Sequence, residues 1–210
     1  MSVAPESTAA RLRTSPQQAR SQARMDAVLD AAIRLLEAEG VEGVTTTRVA
    51  TEADMAVGSV YRYFPDKAAI LDTLWARYLG DFGLLMEALG ARAEVETWDD
   101  PVGLVIDAFV DFYRDKPALR AIWFGSRLSD DTMAADRQQD VRMAEGLERL
   151  LLAQGLPASR RLRTQAYACV LICDSLLKEA FRNDPMGDPD LLEETKEILR
   201  AYLVHIAGAL

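Results

Sequence analysis

Val57-Gly58-Ser59 is followed closely by Tyr61, Arg62, Tyr63 and Lys67, with Thr46, Thr47 and Arg48 a short way upstream. Three small residues in a row let a backbone come close to another molecule. Phenols, hydroxyls, a guanidinium and an ammonium are the donors that grip phosphate oxygens. Other chemistry is sparse. The one histidine, His205, lies near the C-terminus, and no HExxH pair, nucleophile elbow or phosphate-cradling glycine loop is present. Cys169 and Cys173 stand four apart on one helix face but have no nearby histidines or further cysteines, so buried core thiols are expected rather than a metal or redox pair. No catalytic residue, metal or cofactor is expected.

The 210 residues are 50% hydrophobic and 27% charged, which suits one or two domains with a real core and excludes a disordered chain. Ala166–Cys173 is among the longest apolar runs, far short of the ~18–20 residues of a membrane span. Met1–Arg24 carries arginines but no apolar stretch, so no secretory signal is expected, and two cysteines suit a reducing cytoplasm. The formal charge of −9 argues against nucleic acid until it is divided along the chain. Residues 1–67 hold eight basic and nine acidic side chains, a net of −1, so the remainder carries −8. The first 25 residues carry four arginines and one glutamate. A phosphate-facing surface therefore belongs near the start.

Residues 1–20 lack helical apolar spacing and read as a disordered arm. From Ser21 apolar residues recur at helical steps through Val28, Leu29, Ala32, Ile33 and Leu36, ending at Gly40. Thr45-Thr46-Thr47 offers caps for a short second helix, with Val49, Ala50 and Ala53 on one face. Asp54-Met55-Ala56 fits a turn, and Val57 to Phe64 a third helix that Pro65 stops. Asp66 then caps a long fourth helix. Further helices are expected to open at Pro101, at Pro117, near Asp130, at Ser159 and at Asp190. The fold class is all-α with about nine helices. A three-helix unit over residues 21–67 precedes a larger helical bundle over 68–210.

Two short helices joined by a three-residue turn describe a helix-turn-helix. Its second helix enters the major groove end-on, which needs a small first turn. Val60 and Phe64 suit the opposite, packed face. The run Thr46-Thr47-Arg48-Val49-Ala50, then Val57-Gly58-Ser59-Val60-Tyr61-Arg62-Tyr63-Phe64-Pro65-Asp66-Lys67, resembles the DNA-binding domain of TetR-family transcriptional regulators over roughly residues 22–75. The resemblance implies that Thr46 caps helix two and meets a phosphate, with Thr47 and Arg48 at the groove edge. It implies that Val57, Gly58 and Ser59 face bases, and that Tyr61, Tyr63 and Lys67 meet phosphates. Arg62 is divided between phosphate and solvent. Two positions depart from the family pattern: Asp54 replaces the usual turn glycine, and Ala56 replaces a Ser or Thr cap.

A half-site reader needs a second copy, with recognition helices ~34–36 Å apart. The last two helices are the expected homodimer surface, through a stripe of Leu191, Thr195, Ile198, Tyr202 and Ile206 flanked by Leu192, Leu199 and Leu203. Aromatic residues gather in the middle of the chain and could line one apolar cavity for a small-molecule effector, itself largely apolar or aromatic, as the resemblance also implies. Phe109, Phe112, Trp123, Tyr167 and Cys173 are the lining candidates. Asp174, acidic on an apolar face, could meet a polar or cationic ligand group or pair locally. The function expected is a ligand-responsive regulator, by family default a repressor, on a palindromic operator. The alternatives are a helical protein-interaction module whose helix-turn-helix no longer binds DNA, and a helical enzyme.

Overall fold

The computed structural model describes residues 16–126 and 128–208. Among them nine helices and no strand occur: α1 (Pro16–Gly43), α2 (Thr46–Glu52), α3 (Val57–Tyr61), α4 (Lys67–Ala93), α5 (Pro101–Arg114), α6 (Pro117–Gly125), α7 (Asp130–Ala153), α8 (Arg160–Asn183) and α9 (Pro189–Gly208). None of the described helices is long and apolar enough to cross a membrane.

The helix starts follow from side-chain caps that satisfy otherwise orphaned backbone donors. Asp66 accepts from Ala69 N at 2.8 Å, Asp100 from Gly103 N at 3.0 Å and Ser159 from Leu162 N at 3.0 Å. Pro101 and Pro117 occupy first-turn positions, where a missing N–H costs nothing. Gly155 ends α7 in the left-handed region at φ 93, and the Leu156 N–H closes back on Leu151 O at 3.0 Å.

Four local expectations shift. Helix α1 begins at Pro16, so the expected arm over residues 1–20 falls mostly outside the described residues, and its last part, Pro16–Arg20, is helical. Gly40 does break α1, at φ 68, but one more short turn follows to Gly43. The cap of α2 is Thr45, which accepts from Arg48 N at 3.2 Å, and not Thr46, which sits inside the first turn. Helix α3 stops at Tyr61, three residues before Phe64, because the chain must turn there to reach Pro65 and Asp66.

The two departures from the family pattern leave visible traces. Asp54 takes φ 51, a left-handed conformation that aspartate tolerates, so the turn closes without glycine. Ala56 gives α3 no side-chain cap. Ala56→Ser should therefore raise stability by about 1 kcal/mol, read as an increased urea midpoint at unchanged slope.

The core is continuous from α1 to α9. Val28, Leu29, Val49, Val60 and Phe64 hold the first three helices together, and Ile70, Leu74, Tyr78 and Phe82 run along the buried side of α4. Helix α4 packs on α7, α7 on α8, and α8 on α9. Helix α6 lies against α1, so the N-terminal unit meets the bundle through α6 as well as through α4. Gly125, at the end of α6, sits so close to α1 that a Cβ there would come within 2.9 Å of Val41.

Candidate functional site

In the N-terminal unit, Val60 and Phe64 are fully inside while Val57, Gly58 and Tyr61 are exposed. Burial of the first pair against α1 and α2 forces the opposite face of α3 outward. The small first turn therefore stands at the surface, with Ser59 half-buried behind it. The Tyr61 hydroxyl and the Thr46 hydroxyl are 3.0 Å apart and tie α3 to the start of α2. Thr47 and Arg62 are exposed, and Tyr63 is half-buried with the Arg62 guanidinium over its ring.

Two basic side chains already have partners. The Arg48 guanidinium grips both oxygens of Glu39 in a fork, and this holds the Glu39 carboxyl below its ordinary range. The Lys67 ammonium donates to Val41 O at 2.6 Å, so it closes the end of α1 onto the start of α4. Only its remaining donors face outward.

The second feature lies in the bundle. A cavity among α4, α5, α6, α7, α8 and α9 holds about 1030 Å³ of non-protein space, its open mouth included. Its walls are mainly apolar. Of the expected lining residues, Phe109, Trp123, Cys173 and Asp174 line it. Phe112 and Tyr167 do not. Phe112 lies behind the wall, its ring 4.4 Å from that of Phe82 and the Lys116 ammonium 4.0 Å above it, while Tyr167 is half-buried elsewhere on α8. Tyr113, one residue on from Phe112, takes the place in the wall and stacks on Trp123 at 5.0 Å. Burial pushes the Cys173 thiol up to about 12 and the Cys169 thiol up to about 11, as expected of inert core thiols.

The polar part of the lining has more members than Asp174. Asp136, Gln139 and Asp140 enter from α7, and Lys178 from α8. Asp174 and Lys178 pair at 2.8 Å, and the same ammonium lies 4.7 Å from the centre of the Trp123 ring. Sequence reasoning missed the α7 carboxylates because charged and polar side chains fill half of that helix and these two do not stand out among them. The signal was present nonetheless: Asp136 and Asp140 continue, at helical steps, the stripe of Met143, Leu147 and Leu151.

Burial pushes the Asp140 carboxyl up to about 6, with Asp174 and Asp136 adding repulsion and Lys178 opposing it. The ionised form is thus disfavoured in the folded state. Its cost is present above about pH 6 and fades as the pH falls towards the unfolded value of 3.8. Asp140→Asn should stabilise the ligand-free protein at neutral pH by about 1 kcal/mol, allowing for partial exposure, or roughly 2–4 °C in melting temperature. The gain should vanish near pH 4 in a thermal series.

Comparison with known proteins agrees with both halves. The profile described as bacterial regulatory proteins, tetR family, matches residues 28–74, and that described as tetracyclin repressor-like, C-terminal domain, matches 96–207. A solved TetR-family transcriptional regulator from Streptomyces coelicolor is 31% identical with a TM-score of 0.67, covering 89% of this chain and 98% of that one. The nucleoid occlusion factor SlmA of Haemophilus influenzae is 29% identical over 128 residues, which are 60% of this chain and 56% of that protein's length. The HTH-type transcriptional repressor KstR of Rhodococcus jostii is 44% identical over 54 residues, 26% of each chain. An exposed α3 on a buried scaffold, a lined cavity behind it and two profiles spanning most of the sequence agree: the chain belongs to the TetR family of transcriptional regulators.

Proposed function

We propose that this regulator is a cytoplasmic repressor that binds a palindromic operator as a homodimer and leaves it when a small molecule enters the α4–α9 cavity. The exposed first turn of α3 carries the reading. Val57, Gly58 and Ser59 approach base edges, while Thr46, Thr47, Tyr61, Tyr63 and Lys67 fix the register on phosphates. The Thr46–Tyr61 hydroxyl pair fits this role, since both oxygens are held at one edge of α3. Arg48 reaches phosphate by exchanging its exposed Glu39 partner. Removing that competitor should help. Glu39→Gln should raise DNA affinity several-fold and steepen the salt dependence by about one unit of slope, as one more phosphate contact requires.

The expected dimer stripe on α9 is divided. Leu192, Thr195, Leu199 and Ile206 are buried within the protomer, Leu191, Tyr202 and Leu203 are half-buried, and Ile198 is exposed; Val204, outside that stripe, is exposed as well, as is Leu171 on α8. The outward remainder is the surface offered to a second copy, and a four-helix arrangement of two α8–α9 pairs would cover it. Effector binding is coupled to the recognition helices by α4, which starts beside α3, and by α6. Trp123 on α6 lines the cavity while the same helix rests on α1. A coupling of ~1–3 kcal/mol is the usual range.

Selection of bound duplexes from a random pool tests the reading. An inverted repeat should be enriched, with half-site centres about one helical turn apart. A pool that gains no sequence preference over several rounds would overturn it.

A further inference from the structure

From the outward residues of α3, we infer that Val57 reads the operator through its methyl groups. It packs on the C5-methyl of a thymine in each half-site, and a 5-methylated cytosine can stand in for that thymine. This deepens the proposed DNA-reading role of α3 and rests on it. Three observations point the same way.

The first is the chemistry of the surface that α3 turns outward. Ala56, Val57 and Gly58 are exposed, Val57 with 36% of its surface open, and Met55 just before them is half-buried. Met55-Ala56-Val57-Gly58 is thus a run of four residues whose side chains carry no charge, hydroxyl or amide. The hydrogen-bonding edge of a base finds no side-chain partner in such a run. The apolar group that bases present in the major groove is the thymine C5-methyl.

The second is where the neighbouring donors are held. The Tyr61 hydroxyl is 3.0 Å from that of Thr46, and the Arg48 guanidinium is gripped by Glu39. The Arg62 guanidinium lies over the Tyr63 ring, 5.9 Å from its centre, and comes one helical turn after Gly58. Within Val57–Ser59 the one side-chain hydroxyl is that of Ser59, which is half-buried. A hydroxyl both donates and accepts, so it pairs with any base and discriminates little. Selection at this point of the groove is left to methyl against methyl.

The third is that the apolar run does little for the fold. Ala56 gives α3 no side-chain cap, and Val57 opens a helix of five residues with a β-branched side chain, a poorer helix former than alanine. Val60 and Phe64 join the core, but Val57 does not. An uncapped, exposed, branched apolar start breaks the local rules that stabilise a helix. Such breaks fit a surface kept for contact with a partner.

The probe is the inverted repeat recovered from the random pool. Each thymine of the half-site is replaced in turn, in both halves, by deoxyuridine, which lacks only the C5-methyl. One buried methyl is worth about fourfold in affinity, so at one thymine position the paired replacement should weaken binding about fifteenfold. Val57→Ala should bind the thymine duplex more weakly and should bind the thymine and deoxyuridine duplexes alike, with a urea midpoint no lower than the original's. A cytosine–guanine pair placed at that position should be bound several-fold tighter when its cytosine is 5-methylated. Deoxyuridine tolerated at every position, a thymine preference that persists in Val57→Ala, or a 5-methyl group without effect would overturn the inference. Gly58→Ala on the same duplexes separates this from the underlying reading. If it loses binding while deoxyuridine is tolerated throughout, α3 remains the reader and the methyl contact is discarded; if it binds unchanged, both are discarded.

Discussion

Gly58→Ala should lower operator affinity at least about 100-fold while leaving the protein as stable as before or slightly more so. A Cβ built at Gly58 meets nothing within 4 Å, so the fold has room for it. Alanine is also the better helix former, by about 0.5–1 kcal/mol. A loss of DNA binding therefore could not come from unfolding. It would come from the added methyl at the exposed first turn of α3, where the backbone must approach the base edges. Anisotropy titration with an operator duplex reads the affinity, and urea unfolding reads the stability. Unchanged affinity would mean that another face reads the DNA.

Phe82→Ala should cost about 3–5 kcal/mol, the range for truncating a buried phenylalanine. Its ring is 6% exposed and sits 4.4 Å from Phe112, 5.7 Å from Tyr113 and 6.0 Å from Phe109. No other ring holds α4 to α5 through as many aromatic contacts among the described residues. The melting temperature should fall by roughly 10 °C, given ~2–4 °C per kcal/mol for a chain of this size. Because the same ring lines the cavity, the variant should also accept bulkier probes than the original protein. A loss under about 1 kcal/mol would show that the aromatic group collapses onto the gap.

What could be read in the sequence was what local chemistry decides. Asp66, Asp100, Pro101, Pro117 and Gly155 act within one helical turn of themselves, so their helix boundaries were legible. The outward face of α3 was legible too, because Val60 and Phe64 can only point inward. Choices between neighbouring positions were harder. Thr45 and Thr46 have the same hydroxyl, and only the path of the chain out of Gly43 decides which caps α2. Phe112 and Tyr113 stand at three and four residues from Phe109, and both spacings lie on one helix face. The Phe82 and Lys116 contacts then place Phe112 behind the wall.

Partners distant in sequence were not legible at all. The Lys67 bond to Val41 spans 26 positions, and neither residue's surroundings announce it. The Arg48–Glu39 fork likewise depends on how α1 and α2 cross. Asp136 and Asp140 became meaningful only when α7 closed against α4 and α8, turning two charges on a polar helix into the acidic corner of a cavity. The split of the α9 stripe has the same origin: its apolar width serves the protomer's own core first and leaves Ile198 over.

The charge distribution sets the conditions for the decisive measurement. With −9 overall, the chain should hold non-specific duplex weakly, so affinity must come from a few placed contacts doubled by a second copy. Titration of the full chain against the DNA upstream of its own gene, and against a shuffled duplex of equal composition, over a salt series, tests this directly. The account predicts two chains per site, a strong preference for the upstream duplex, and affinity that falls steeply as salt rises. Equal affinity for the two duplexes at low salt would contradict it.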